Sequence, residues 1–416
     1  MTSPIWHPFT QHGLGEPIHL VERAEGALLH TGEGRAVIDA ISSWWVTTHG
    51  HCHPRIMAAA AEQTQRLDQL IFAGWTHEPA ETLARDLTAI MPASLTRVFF
   101  SDSGSTSVEV ALKMALGYWA ARSEPRHKIV VLEHSYHGDT IGAMSVGARG
   151  VFNQAYEPLL FDVARVPFPA RDAEQDTLDA LEALCREGQA AALIVEPLLL
   201  GAGGMLMYPP QVLAQMHAIC AAHEVLFIAD EVMTGWGRTG TLLACEQAGV
   251  APDILCLSKG LTGGSLPLAV TMASEPVFQA HWSTDRARMF FHSSSYTANP
   301  IACAAANANL AIWREEPVAE RIATLSARQA EHLQALSSTG RVANARQLGT
   351  VAALDLRVGK AGYMDDLAPR LMAFFRDRDV LLRPLGATVY VMPPYCITSA
   401  QLGQVWDAIT EAATML

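Results

Sequence analysis

The sequence predicts an α/β protein in which a mostly parallel, helix-covered sheet forms a large domain and a smaller α+β domain follows. Three observations carry that prediction. Short, predominantly apolar runs at 128–132, 192–195, 225–229 and 254–257 read as strands buried on both faces. They recur at roughly 30 to 60 residue intervals with helix-period segments between them, the rhythm of successive βαβ units. The 416 residues are 50% hydrophobic and 17% charged, enough for a large core divided between two domains.

Taken in order, residues 1–47 form a loose entry and then two strands, 26–30 and 36–41, joined through the turn residues Thr31-Gly-Glu-Gly34. The stretch SSWWVTTHGHCHP sets Trp44 and Trp45 beside His49, His51 and His53. Alternation would place three histidines on one face of a strand, but Gly50 and Pro54 break any strand and nothing completes a metal set. The tandem tryptophans fit either a core or a pocket wall. Residues 54–91 keep a helical period. A strand at 97–100 then breaks at Ser101-Asp-Ser-Gly-Ser105, and a helix follows with Val108, Leu112, Ala115 and Trp119 on one face and Thr106 and Glu109 as a capping box. A strand, a Ser/Gly turn and a helix N-terminus can hold an anion, which makes Gly104 and Ser105 phosphate candidates, although an ordinary capped turn has the same appearance.

The strand at 128–132 ends at EHSYHGDT, and Tyr136 there either stacks on a planar ring or closes the core. The strand at 192–195 ends in Glu196-Pro197, and the GAGG beyond it lacks the dinucleotide fingerprint. Asp230 ends the 225–229 run, and Lys259 stands just past the run at 254–257. Strand carboxyl ends are where ligands bind in open α/β sheets. A lysine that forms a Schiff base and an aspartate on a pyridinium nitrogen are the protein's share of pyridoxal phosphate chemistry, while an exposed lysine and a capping aspartate are the plainer alternative.

One more strand follows in LTGGSLPLAVTMAS, then a serine-rich turn, HSSSYTANP, and a long small-residue helix. From about residue 301 the order becomes a long helix, a polar region to Asn344, strands near 349–356, a helix at 364–378 and a final strand pair around 381–392. Arg383, after two leucines, is either a surface arginine or a carboxylate anchor.

The composition excludes several classes. The net charge is −13, with 29 Lys and Arg against 42 Asp and Glu and no basic stripe, so no nucleic-acid partner is expected. Seven cysteines without CxxC spacing read as reduced. No apolar run approaches the roughly 18 residues of a membrane span, and MTSPIWHPFT has no signal-peptide pattern. A cytoplasmic protein without membrane association is expected.

The motifs WHPFT, SSWW, DSGSTSVEVALKMAL, SYHGDT, FIADEVMTGWGRTG, CLSKGLTGG, HSSSYTANP and RPLGATVYVMPPY occur in this order, and together they resemble the class III, fold type I, pyridoxal 5'-phosphate-dependent aminotransferases over nearly the whole chain. Within that family WHPFT, SSWW and RPLGATVYVMPPY are most similar to the branch that transaminates 8-amino-7-oxononanoate in biotin synthesis. The resemblance implies an N-terminal segment, 1–47, contributing to the small domain, a large cofactor-binding domain, 48–300, and a small domain, 301–416. It implies that Lys259 forms the Schiff base and shuttles the proton, that Asp230 keeps the pyridine nitrogen protonated, that Tyr136 and Val232 flank the ring, and that Gly104 and Ser105 hold the phosphate. Ser294 and Ser295 would reach the phosphate of a neighbouring subunit, implying a homodimer with shared active sites.

For the substrate, the resemblance implies that Arg383 pairs with its carboxylate and that Trp44, Tyr136, Ser293 and Tyr390 line the rest of the pocket. Arg238 would shape the site for the amino donor, which in this family is S-adenosylmethionine or, in some relatives, lysine. Two departures stand out. Phe9 replaces a substrate-contacting tyrosine, and HSSSYTANP replaces HGPTFMGNP, so Ser293 and Ser295 stand where glycine and threonine are common.

Overall fold

The apolar runs become strands of one seven-stranded sheet. The computed structural model describes residues 3–124, 126–358 and 366–415. In chain order the strands are β1 (Leu95–Ser101), β2 (Lys128–Leu132), β3 (Ala164–Val166), β4 (Ala190–Val195), β5 (Leu226–Asp230), β6 (Ile254–Leu257) and β7 (Ala269–Ser274). Across the sheet the order is β1-β7-β6-β5-β4-β2-β3. Neighbours from β6 to β3 pair in parallel, and β7 runs antiparallel between β6 and β1. The sheet is therefore mostly parallel, as the sequence predicts.

Burial on both faces explains why these strands read as continuous apolar runs. Leu193, Val195, Phe227, Ala229, Leu255 and Leu257 pack in one cluster with residues of the helices Glu78–Ile90, Glu174–Arg186 and Pro210–Ala222. Their alternate neighbours Ala192, Ile194, Leu226, Ile228, Ile254 and Cys256 pack on the opposite face against the helix Gly104–Ala121. The period of two is present but hidden, since both sets are apolar. Parallel strands return through crossovers, so their carboxyl ends share one rim, and that rim is where the chain can assemble a site.

The expected hairpin forms between Leu28–Thr31 and Ala36–Asp39, with Val21–Glu25 added at its edge. Its fourth strand comes from far along the chain: Val380–Leu381 pairs in parallel with Ala36–Asp39. A separate antiparallel sheet joins Val342–Leu348, Val351–Leu356 and Thr388–Val391, and shares a core with the helices Val318–Ser338 and Ser399–Met415.

Several local expectations need correction. The segment 54–91 is two helices, Pro54–Thr64 and Glu78–Ile90, because the second is started afresh by the His77 cap and Pro79. The helix at 104 is capped reciprocally by Ser103 and Thr106, and Glu109 instead accepts from Thr140 and the amides of Gly142 and Ala143. The expected polar region before Asn344 contains the helix Val318–Ser338, whose apolar stripe of Val318, Ile322, Leu325, Leu333 and Leu336 is masked by charged residues. The strands near 381–392 belong to two different sheets and do not pair with each other. The helix expected at 364–378 is observed as Leu367–Arg376, and the start of that expectation, 364–365, lies outside the described residues. No helix among the described residues is long and apolar enough to cross a membrane.

Residues 39–48 are knitted into this frame. Ser42 Oγ donates to the Met392 carbonyl at 2.8 Å, and the Thr48 amide donates to Gly263 in the loop after Lys259 at 3.3 Å. Gly264 makes that approach possible: its φ is +89°, and a Cβ there would lie 2.5 Å from the Val46 carbonyl carbon and oxygen. Gly264→Ala is expected to cost about 1–3 kcal/mol, since backbone rather than a flexible side chain must move. The denaturation midpoint measures this, and an unchanged midpoint would show that the 46–48 segment does not press on the lysine loop.

Candidate active site

Five segments leave the sheet on the same rim, and each delivers at least one functional group. Asp230 ends β5 and is buried; its Oδ2 accepts from His137 Nδ1 at 2.7 Å and its Oδ1 from the Val232 amide at 3.1 Å. His137 and Tyr136 come from the loop after β2. Glu196 follows β4, buried, with its carboxylate oxygens accepting the amides of Tyr136 at 2.9 Å and Gly201 at 3.0 Å. Lys259 follows β6 in a 3-10 turn, at a φ of +48° that lysine rarely adopts. Backbone strain of this kind concentrates at functional sites. The helix after β1 points its N-terminus at the same cavity, with the amides of Gly104 and Ser105 given no acceptor among the described residues.

The Lys259 amine has no hydrogen bond or ion pair among the described residues and stands 5.1 Å from the centre of the Trp45 ring. Burial lowers its pKa to about 8, against the opposing pull of Asp230 and Glu196, while Arg238 adds to the lowering. Desolvation thus outweighs two nearby carboxylates, and an amine near neutrality at pH 8 is a nucleophile and a proton acceptor. Burial also pushes the Glu196 carboxyl up to about 7 and, with Asp139 next in weight, raises the Tyr136 phenol well above its ordinary value.

The cavity walls are shared between distant segments. Trp44, Trp45, Gly104, Ser105, Tyr136, Asp230, Val232 and Lys259 all line it. Phe9 packs against Trp44 at 5.6 Å between ring centres, and the Arg383 guanidinium lies 5.3 Å from the Trp44 ring and 5.9 Å from that of Phe9. The arginine is therefore held over two aromatic faces, an arrangement that fixes a guanidinium without neutralising it.

Other expected residues lie elsewhere. Tyr390 is buried behind the wall, where its hydroxyl accepts from Trp45 Nε1 at 3.0 Å. Arg238 is also buried, donating to the carbonyls of Pro393 at 3.0 Å and Thr47 at 2.9 Å, and does not line the cavity. Ser293, Ser294 and Ser295 sit in a turn outside this cavity, with Ser294 Oγ donating to Asp102 at 3.1 Å. Conversely, His137, Glu196 and Trp45 line the cavity without being among the residues the sequence points to. The first two stand at strand carboxyl ends, as Asp230 does, which was the available signal. For Trp45 no signal separated it from Trp44.

A pyridine ring bearing a phosphate fits these residues. A Cβ on Gly138 would fall 2.1 Å from Ser105 Oγ, at a φ of +132°, so a glycine keeps the helix N-terminus open beside the Tyr136 loop. Free amides suit a phosphate, Tyr136 and Val232 suit two ring faces, Asp230 suits a ring N–H and Lys259 suits an aldehyde carbon.

Comparison with known proteins agrees with this geometry. The family model described as aminotransferase class-III matches residues 10–413, and the chain belongs to that family. A protein of Synechococcus elongatus named adenosylmethionine-8-amino-7-oxononanoate aminotransferase is 46% identical, covering 98% of this chain and 97% of the relative. A protein of the same name from Geobacter sulfurreducens is 36% identical over 98% of this chain and 95% of its own length. Among solved structures, the adenosylmethionine-8-amino-7-oxononanoate aminotransferase of Methanocaldococcus jannaschii superposes with a TM-score of 0.94 at 32% identity, covering 99% of this chain and 97% of that one. An amine transaminase from an uncultivated Pseudomonas species, solved with PLP bound, gives a TM-score of 0.93 at 32% identity over 99% of this chain and 98% of that one. The chain is thus an aminotransferase of the pyridoxal phosphate-dependent kind.

The lowered lysine has a direct check. Below its pKa Lys259 is an ammonium without a lone pair; above it the amine is free. Competitive acetylation of the cofactor-free protein, read by mass spectrometry, is expected to label Lys259 with a midpoint near pH 8. A midpoint at the ordinary lysine value would mean that burial does not dominate.

Proposed function

We propose that the protein transfers an amino group to C7 of 8-amino-7-oxononanoate, giving 7,8-diaminononanoate, with S-adenosylmethionine as donor and pyridoxal 5'-phosphate as cofactor. The observation that carries the substrate assignment is Arg383, without an ion pair among the described residues, held over Phe9 and over Trp44, which itself lines the cavity. A long aliphatic keto acid needs an apolar wall and a single cationic anchor, and this wall supplies both. The names of the relatives support the same reading.

The bound cofactor supplies an electron sink for the carbanion formed at the amine-bearing carbon. Lys259 takes and returns the proton at that carbon, for which its amine near pH 8 is matched. Asp230, held between His137 and the Val232 amide, orients a carboxylate at the ring nitrogen. Gly104 and Ser105 receive the phosphate, Val232 and Tyr136 enclose the ring, and Trp44 excludes water from its outer side. Phe9 gives the substrate an apolar face without a hydroxyl. Tyr390 acts one layer out, by fixing Trp45.

We also infer a homodimer with shared sites. Phe291 and Tyr296 are exposed in and beside the serine turn, and Ile71 is exposed two residues from Gln69, which bonds the Ser295 carbonyl, a surface suited to burial by a second copy. Ser294 and Ser295 would then reach the neighbour's phosphate, and Ser293 its substrate cavity. The chain divides as 1–47, 48–300 and 301–416, the first part joining the last through the pairing of Ala36–Asp39 with Val380–Leu381. Seven unbonded cysteines are in keeping with the cytoplasm.

The test begins with the purified protein reconstituted with pyridoxal phosphate and converted to the amine-loaded form. Adding 8-amino-7-oxononanoate is expected to restore the visible cofactor band rapidly. No response, together with a fast one to succinic semialdehyde, would assign the protein to another branch of ω-aminotransferases such as those acting on 4-aminobutyrate, ornithine or diamines. Arg383→Gln should lower kcat/KM for 8-amino-7-oxononanoate by about a hundredfold, the size of a lost charge-assisted pair, with the absorbance of the resting protein unchanged. An unaltered kcat/KM would remove Arg383 from the substrate site.

A further inference from the structure

A second cavity, of about 610 Å³, lies behind the loop that follows Lys259, and the reaction makes no use of it. It is of the size that small-molecule sites have. The three histidines set aside in the sequence meet here: His49, His51 and His53 all line the cavity. Among the described residues no group of three or more histidine, cysteine or acidic side chains is placed to hold a metal, so the site calls for a different ligand.

The side chains define its chemistry. His51 is engaged, its Nε2 2.8 Å from Asp39. His49 is 4% exposed and neither of its ring nitrogens has a hydrogen-bond partner; the Asn309 amide lies nearby without closing a bond of good geometry. Burial first, then the neighbouring His53, lowers its pKa to about 4, so it offers one donor and one acceptor without charge at neutral pH. Arg321 and Arg328 project from the helix Val318–Ser338 seven positions apart, on one face. Arg321 is taken by Glu316 at 2.7 Å, whereas Arg328 has no hydrogen bond, ion pair or ring contact among the described residues. Leu325, Ile397 and Leu402 supply apolar wall, and Glu320 adds a carboxylate at the exposed side that disfavours a second negative charge on any ligand.

We propose that this cavity binds a small organic monoanion, with its carboxylate on Arg328, its apolar body along Leu325, Ile397 and Leu402, and a neutral hydrogen-bonding group at its far end against His49. The ligand would supply the partners that the guanidinium and the buried imidazole lack. The inner wall abuts the loop that follows Lys259. The His49 ring packs near Gly263, Asn309 donates to the carbonyls of Gly260 and Leu261 at 2.9 and 3.0 Å, and Tyr395 donates to the Trp236 carbonyl at 2.5 Å. An occupant would therefore lie one residue layer from the lysine loop.

The probe is 6-acetamidohexanoate, which has one carboxylate, an aliphatic chain and a neutral amide. Titrated calorimetrically into the cofactor-loaded protein, it is expected to bind in this cavity with millimolar or better affinity, weakened at least tenfold by Arg328→Gln and retained in Arg383→Gln, which removes carboxylate binding at the active site. Thr324→Trp, which fills the mouth, should abolish the same event if Arg328→Gln does not fold. A crystal soaked with the probe should show it between Arg328 and His49. Ordered water alone in that density, or a binding event that both cavity variants leave intact, would overturn the proposal. Only the Arg383→Gln control rests on the separate reading of the active site; failure of the substrate assignment would appear in the response of the wild-type protein to 8-amino-7-oxononanoate and leave this site untouched.

Discussion

The parallel ladder between β5 and β6 is the constraint on which the rest of the site depends. It places Asp230 opposite Cys256, so the carboxylate and Lys259, three residues further on, are spaced by backbone hydrogen bonds rather than by flexible side chains. β4 pairs with β5 in the same sense and brings Glu196 to the same rim. Both strands are buried along their whole length, which removes water from three ionisable groups at once. Desolvation then decides the protonation of the lysine and the glutamate. It lowers the lysine although two carboxylates attract its charge, and raises the glutamate although a histidine opposes it. Asp230 is held in place beside them by a histidine ring nitrogen and a backbone amide.

A rim of strand ends can hold a cofactor but cannot by itself distinguish substrates, because its groups serve reaction chemistry common to the family. The wall proposed to distinguish them comes from segments outside the large sheet: Phe9 and Trp44 from the N-terminal part and Arg383 from the strand region near the carboxyl end. These segments belong together because Ala36–Asp39 and Val380–Leu381 are neighbours in one sheet. The hydrogen bonds from Ser42 to Met392 and from Met392 to Ala40 extend that joint up to the tryptophans. Positive φ at Ser42, Ser43 and Trp45 shows how sharply the backbone turns to present them.

The sequence makes most of the large sheet legible, because burial on both faces leaves an unbroken apolar signature and strand-end residues then fall on one rim by topology. Asp230, Lys259, Tyr136, Gly104 and Ser105 are brought to one cavity for that reason. What the sequence hides is pairing over long distances. Nothing local in Val380–Leu381 says that its partner lies near residue 38, and the strand at 164–166 is too short to carry a period. Side-chain direction is hidden too: Trp44 and Trp45 are adjacent, yet one stands against Phe9 and the other is buried with Tyr390. The helix Val318–Ser338 was obscured by its own charged face, two of whose arginines line the second cavity.

Arg238 shows how a residue chosen by motif can act without touching a ligand. A buried guanidinium is costly unless its donors are met. Here two carbonyls meet its terminal nitrogens, Thr47 from the tryptophan segment and Pro393 from the C-terminal region, with the Tyr395 ring 5.2 Å away, while its Nε is left without a hydrogen-bond partner. Its own carbonyl accepts from Thr350, so one residue joins four parts of the chain. A lysine could not reproduce this, since one ammonium lacks the planar fork that reaches two separated carbonyls. Its positive charge is also close enough to help lower the Lys259 amine. The arginine thus braces the segment that carries the proposed substrate wall and adds to the lowering of the Lys259 amine, both from behind the cavity.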